Sequence, residues 1–235
     1  MDQPYVSVLT PTYNRRRFIP SLIECFRHQT YPGTRVEWII LDDGTDKVGD
    51  LFEQAGLGNI KYYSEDIKLT IGAKRNKLNA LAQGTIIVCM DDDDYYPPDR
   101  ISHAVDKLIT NPKYNICGSS ELYLFYSDNK TIYKLGPYSS NHATNGTFAY
   151  RRSYLKNHKY DESVSNGEES SFLNKYTEPL FQLDPYKAQL LISHSENTYD
   201  KKKLREQSSP VFKLTNLDLQ QFINNEKLRE FYRDA

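Results

Sequence analysis

Cysteine is scarce in this chain of 235 residues: Cys25, Cys89 and Cys117 stand far apart and in no metal-ligand spacing. That rules out a cysteine-ligated metal site. Cys89 lies inside an apolar run, where a buried free thiol is the ordinary state. An odd count with no export signal points to a reducing compartment, and the expected location is cytoplasmic. Long hydrophobic runs are missing too. None approaches the ~20 residues of a membrane-crossing helix, so no transmembrane segment is expected. Met1-Asp2-Gln3-Pro4 has neither the basic nor the apolar part of a signal peptide. Nor is there an excess of either charge. Lys and Arg total 30 against 31 Asp and Glu, so no nucleic acid or anionic membrane is expected as partner. A glycine-rich phosphate loop is absent in both its common forms, so phosphate charge would have to be met by a metal and basic side chains.

What is present is bulk. Apolar content is only 38%, but 19 Tyr and 10 Phe add surface that burial can use, enough for one well-packed domain. The first half alternates apolar, β-rich runs at 6–9, 36–41, 60–63 and 85–90 with amphipathic helical stretches at 18–28, 71–82 and 99–109. The run at 85–90 (Thr-Ile-Ile-Val-Cys-Met) is nearly all apolar, as a strand covered on both faces is. This alternation predicts a mostly parallel sheet wrapped by helices. After Asn115 the rhythm changes. A hairpin is expected from 122–126 and 131–135, then a polar loop at 138–146, an apolar piece at 147–150, a helix at 168–176 and a last strand at 189–193. Residues 201–210 read as a charged link, and 216–233 as one amphipathic helix docked on its own domain. The expected division is a catalytic domain at 1–200, with halves at 1–115 and 116–200, followed by a linker and tail helix at 201–235.

Asp91-Asp92-Asp93-Asp94 follows the buried run at 85–90 directly. Such a run can simply be solvated, but open α/β sheets place their ligands at the carboxyl ends of strands. Alternate residues of an extended segment share a face, so Asp91 and Asp93 can converge on a hard cation such as Mg²⁺ or Mn²⁺. Thr10-Pro11-Thr12-Tyr13-Asn14 and Asp42-Asp43-Gly44-Thr45 end two other strands on the same expected edge. A turn is the ordinary reading of Asp-Asp-Gly. In a nucleotide pocket Asp43 can instead accept the imide N–H of a pyrimidine. Lys74 and Arg75 open a helix, either as phosphate-facing cations or as solvated helix charges.

In order and spacing these motifs, together with Pro98-Asp99-Arg100, resemble the family 2 glycosyltransferases from about Tyr5 to Asn111, and more weakly on to about Asp200. The resemblance implies a GT-A fold and a nucleoside-diphosphate sugar donor, with uracil as the expected base. It also implies a DxD metal site for Mn²⁺ or Mg²⁺, inversion at the anomeric carbon, and a carbohydrate or glycoconjugate acceptor. By position it implies that Thr10, Pro11, Tyr13, Asp43, Lys74 and Arg75 surround the donor. Asp91 and Asp93 would form the DxD, and Asp92 would face the donor ribose or sugar. Where the family has Glu-Asp at a helix start, this chain has Glu168-Glu169. Helical periodicity does not choose between them, both can be helix-terminal acids, and the resemblance favours Glu169 as base. His194, in His194-Ser195-Glu196-Asn197-Thr198, matches a stretch where the family places a histidine near metal and diphosphate. A lone histidine after a strand is otherwise a packed one. A sugar-phosphate nucleotidyltransferase and a non-catalytic nucleotide-sugar-binding module are the alternatives, and the linker and tail allow a module of a larger glycosyltransferase.

Overall fold

The computed structural model describes residues 3–197, 201–206 and 209–235. The expected domain boundary at 200, Thr198, Met1-Asp2 and residues 207–208 of the expected link lie outside them. Two sheets organise the chain. The larger is built from β1 (Val6–Thr12), β2 (Val36–Asp42), β3 (Ile60–Ser64), β4 (Ile86–Cys89), β5 (Ile116–Gly118), β8 (Ala149–Arg151) and β9 (Phe181–Gln182), in the order β3-β2-β1-β4-β8-β5-β9. Strands β3, β2, β1 and β4 run parallel, and β8 is antiparallel to both β4 and β5. The smaller sheet joins β6 (Leu122–Tyr126), β7 (Thr131–Leu135), β10 (Leu190–Ser193) and β11 (Phe212–Leu214), in the order β10-β6-β7-β11. Its β6–β7 hairpin is the one expected from the sequence.

Alternation along the central strands sends side chains into two cores, one on each face. Val6, Val8, Trp38, Ile40, Ile86 and Val88 pack on one side against α1 (Ile19–Arg27), α2 (Gly49–Gln54) and α4 (Arg100–Thr110). Leu9, Ile39, Leu41, Ile87 and Cys89 pack on the other side with Leu78 of α3 (Ile71–Leu81) and Phe172 of α5 (Glu169–Phe172). Covered faces explain the continuous apolar runs, since neither side of the sheet meets water there. The short helix α6 (Pro185–Ala188) precedes β10.

Three expectations need correction. The helix at 168–176 stops at Phe172, because Asn174, Lys175 and Tyr176 all take left-handed backbone, with φ of 47°, 55° and 61°. The strand at 189–193 is not the last, since β11 adds to β7. The tail is not one helix but a 3₁₀ turn at Leu219–Gln221 followed by α7 (Glu226–Arg233). Asp218 caps the first piece and Asn225 accepts the Leu228 N–H at the start of the second, so the segment contains two helix starts. Leu219, Ile223, Leu228 and Tyr232 join the core of the larger sheet.

Candidate active site

The carboxyl ends of β1, β2 and β4 meet at one edge of the sheet, as their parallel register requires. Asn14, in left-handed backbone at φ 53°, closes the loop after β1. Its Oδ1 accepts the N–H groups of Thr45 (2.8 Å) and Asp46 (3.0 Å), which ties that loop to the one after β2. A Cβ on Gly44 would stand 2.6 Å from that same oxygen, so the approach of the two loops demands glycine. Asp42 is framework: its carboxylate accepts Gly44 N–H, Val48 N–H and the Tyr62 hydroxyl.

Asp43 follows β2 at this same edge. Its side chain is fully covered, one oxygen paired with the Lys74 ammonium and the other accepting Leu69 N–H at 2.7 Å. Each carboxylate oxygen thus already accepts one donor from within the fold. Lys74 also donates to Thr12 O at 3.0 Å, and burial lowers its proton affinity against the pull of Asp43. It is therefore a buried clamp between strand ends rather than a solvated helix charge. Thr10 is likewise internal, its hydroxyl accepting the Trp38 indole N–H at 2.9 Å, and Pro11 is buried in β1. The Tyr13 ring remains partly exposed, with the Lys68 ammonium 4.1 Å from its centroid.

Arg75 connects the two acidic groups of the site. Its Nη1 lies 3.0 Å from Asp91 Oδ1, and its Nε donates to Glu168 Oε1 at 2.8 Å. Burial works against its charge, but the carboxylates of Asp91 and Glu168 more than restore it. Glu168 is buried and committed to this pair. Glu169 is half-buried and accepts the Asn145 backbone N–H, at 3.2 Å. Burial and the neighbouring Glu168 charge raise its proton affinity above that of an ordinary glutamate.

The four aspartates divide their roles. Asp94 is structural: it accepts Gln189 Nε2–H at 2.6 Å and Ile192 N–H at 2.8 Å, fastening β4 to β10. Burial and the Asp93 charge push it up to about 7 despite Lys201, whose ammonium is 3.7 Å away. Asp93 faces His194 Nε2 at 3.1 Å. The Glu196 N–H donates to His194 Nδ1, and the Asn197 amide nitrogen lies 2.7 Å from Nε2. Burial opposes the Asp93 charge, but the hydrogen bond with His194 and the cations Lys201 and Arg15 outweigh it and hold the group ionised. His194 is fully covered and packs on Phe18 with ring centroids 4.3 Å apart, so as placed it orients Asp93. Burial and the adjacent Asp93 charge push Asp92 up to about 8. Arg15 approaches both, at 3.9 Å from Asp92 and 3.7 Å from Asp93.

Asp91 and Asp93 offer hard carboxylate oxygens, and Asp91 Oδ1, ion-paired with Arg75 at 3.0 Å, accepts no aligned hydrogen bond. Carboxylates crowded together at one strand end fit a divalent cation. Among the described residues, no group of three or more His, Cys, Asp or Glu side chains is already gathered to hold one. Sequence reasoning missed Arg15, Gln189, Asn145 and Lys201. Arg15 directly follows the first motif, so an arginine opposite four carboxylates was a signal within reach. The other three lie far from the motifs in sequence and are brought in only by the fold. Arg100, in the motif at 98–100, is fully buried and donates to the carbonyls of Cys89 and Phe148, bracing the end of β4.

The chain is 26% identical to chondroitin synthase of Escherichia coli over 240 residues, covering 92% of this chain and 33% of that protein. It is 31% identical to the glycosyltransferase AglE of Haloferax volcanii over 94 residues, covering 38% and 31% respectively. It thus spans a third or less of the length of these curated relatives. Among solved structures, Staphylococcus aureus TarS in complex with UDP-GlcNAc matches with a TM-score of 0.61 at 19% identity, covering 82% of this chain and 59% of that one. The mannosyltransferase PcManGT from Pyrobaculum calidifontis, in complex with GDP-Man and Mn²⁺, matches with a TM-score of 0.66 at 14% identity, covering 99% and 70%. Those likenesses establish the GT-A fold. The model of glycosyl transferase family 2 matches residues 7–159, well over half of the sequence, and the chain belongs to that family.

Proposed function

We propose that this chain transfers a sugar from a nucleoside-diphosphate sugar to a hydroxyl of a glycan acceptor, in a single displacement that inverts the anomeric carbon. The observation that carries the reading is Arg75. It holds Asp91 of the strand-end carboxylates and Glu168 of the α5 start at once, so the two acidic groups form one site. Residues 1–115 would supply the donor side and residues 116–200 the acceptor side. Glu169 takes the acceptor hydroxyl proton as that oxygen attacks the anomeric carbon and the bond to the diphosphate breaks. Arg75 and Arg15, beside Asp91 and Asp92, would supply positive charge to the departing diphosphate. A Mn²⁺ or Mg²⁺ ion, when bound, would be held by Asp91 and Asp93 and would neutralise charge growing on the leaving group. The Mn²⁺ complex of PcManGT and the UDP-GlcNAc complex of TarS support a divalent metal and a nucleotide-sugar donor. No helix among the described residues is long and apolar enough to cross a membrane.

A panel of nucleotide sugars, incubated with the protein and Mn²⁺, tests the reading. The expected result is release of nucleoside diphosphate from at least one donor, lost in excess chelator and in Asp93→Asn. Release of pyrophosphate instead would mean nucleotidyl transfer, and donor binding without any turnover would mean a binding module.

A further inference from the structure

Three aromatic rings beside the candidate base have no part in the transfer chemistry. The Tyr138 and His142 ring centroids are 4.7 Å apart. Those of His142 and Tyr176 are 5.0 Å apart, stacked within 20° of parallel. Tyr138 is 45% exposed, and His142 and Tyr176 are half-buried, so the wall is accessible. Tyr176 is presented at a structural cost. It ends the run of three left-handed residues that begins at Asn174, a conformation that side-chain-bearing residues rarely adopt even singly. Surrounding bonds hold the run in place: Lys175 N–H donates to Ser170 O, and Thr177 and Glu178 N–H both donate to Leu173 O.

The loop that carries His142 adds a second observation. His142 Nδ1, Thr144 Oγ1 and Asn145 Oδ1 are buried with no hydrogen-bond partner, three such atoms within four residues. Native proteins leave few buried polar atoms unpaired, so this concentration marks a loop whose polar groups the fold alone does not satisfy. The loop is also fixed relative to the base. Asn145 N–H donates to Glu169, and Gln182 Nε2 donates to the carbonyls of Ser140 (2.8 Å) and His142 (3.0 Å). The charge of Glu169 reaches Tyr176 as well: after burial, it is the next cause of the raised proton affinity of that hydroxyl.

We infer that Tyr138, His142 and Tyr176 form the subsite for the acceptor's terminal sugar, a pyranose whose C–H face lies on the aromatic wall while its hydroxyls turn to Thr144 and Asn145. A pyranose suits both observations, having one weakly positive C–H face for the π-systems and a rim of donors and acceptors. The inference rests on the transfer reading above and adds where the acceptor sits.

The probes are 4-nitrophenyl β-pyranosides of glucose, galactose, mannose and N-acetylglucosamine. At least one should shift the His142 ring resonance of the wild-type protein in NMR titration and serve as acceptor for the donor found in the release assay. Tyr176→Ala should raise the KM for that acceptor about tenfold, the effect of losing roughly one aromatic contact. Tyr176→Phe, which keeps the ring, should stay within about twofold of wild type. Tyr138→Ala, at an exposed position, should raise the same KM even if Tyr176→Ala fails to fold. The inference is overturned if no pyranoside shifts the His142 signal, if Phe and Ala at 176 behave alike, or if the variants change the donor KM instead. Failure of the wild-type protein to split any donor would refute the transfer reading alone, because the binding titration needs no donor.

Discussion

Glu169 accepts one backbone hydrogen bond, from Asn145, where its neighbour Glu168 grips an arginine. Adjacent helical residues point about 100° apart, so one faces Arg75 and the other is left to meet a proton. The sign of the pH effect follows. Burial, then the negative charge of Glu168, disfavours the ionised form of Glu169, while Arg75 favours it more weakly. The base form therefore grows in above the ordinary glutamate value of 4.5. Transfer rate at saturating donor should rise with pH through a midpoint above that value. Glu168→Gln removes the neighbouring negative charge and leaves Arg75 to act on Glu169, so the activity that remains should show this acid limb shifted to lower pH. Glu169→Gln should cut turnover by ~10²–10⁴ while donor binding measured by calorimetry is retained. An unchanged pH profile in Glu168→Gln, or full turnover in Glu169→Gln, would remove Glu169 as base.

Helix α7 illustrates how an element far away in sequence conditions the site. The Tyr232 hydroxyl, fully buried, donates to the Asp94 carbonyl at 3.0 Å, within the run of four aspartates. Phe231 packs edge-on against Phe18 at 5.8 Å, and Phe18 in turn backs His194, which orients Asp93. The helix thus supports the carboxylate loop by one direct hydrogen bond and by packing through Phe18 and His194. Tyr232→Phe keeps the ring but leaves the Asp94 carbonyl without that bond, which should lower stability to urea by about 1–3 kcal/mol. It should also weaken Mn²⁺ binding several-fold in titration calorimetry, because the loop is freer to drift. Loss of stability with unchanged Mn²⁺ affinity would reduce α7 to a cover for the core.

At the scale of the whole molecule, the site lies between the two sheets' contributions, Asp91 and Asp93 after β4 and His194 after β10. A cation gathered there would bind the folded chain and not the unfolded one. At a free concentration about a hundred times its dissociation constant it would add ~2.7 kcal/mol of stability. Millimolar Mn²⁺ should accordingly raise the Tm of the wild-type protein by roughly 5–10 °C, at about 2–4 °C per kcal/mol for a domain of this size. Asp93→Asn should lose most of that rise, as scanning calorimetry would show. An equal rise in both proteins would place the ion elsewhere.

The sequence by itself determined the longer strands, though not the short β5, β9 and β11, and the class of chemistry. Apolar runs such as 85–90 announce their strands because both faces of the sheet are covered, and periodicity marks α1 and α4 because each is apolar on a single face. Four adjacent carboxylates after a buried strand, with the ordered motifs around them, pointed to nucleotide-sugar chemistry before any coordinate. Which carboxylate does what was left to tertiary structure. Asp43 and Asp91 are the same residue type at equivalent strand ends. Yet the Asp43 side chain is fully covered in its pair with Lys74, while Asp91, paired with an arginine that also holds Glu168, stays partly exposed. Glu168 and Glu169 separate in the same way. Proton affinity and availability depend on burial and on the nearest opposite charge, and those partners come from residues 30 to 100 positions away, so local pattern cannot assign them. The break in the tail and the left-handed run at 174–176 belong with them, because caps and packing against distant residues, rather than propensity, decide where those helices end.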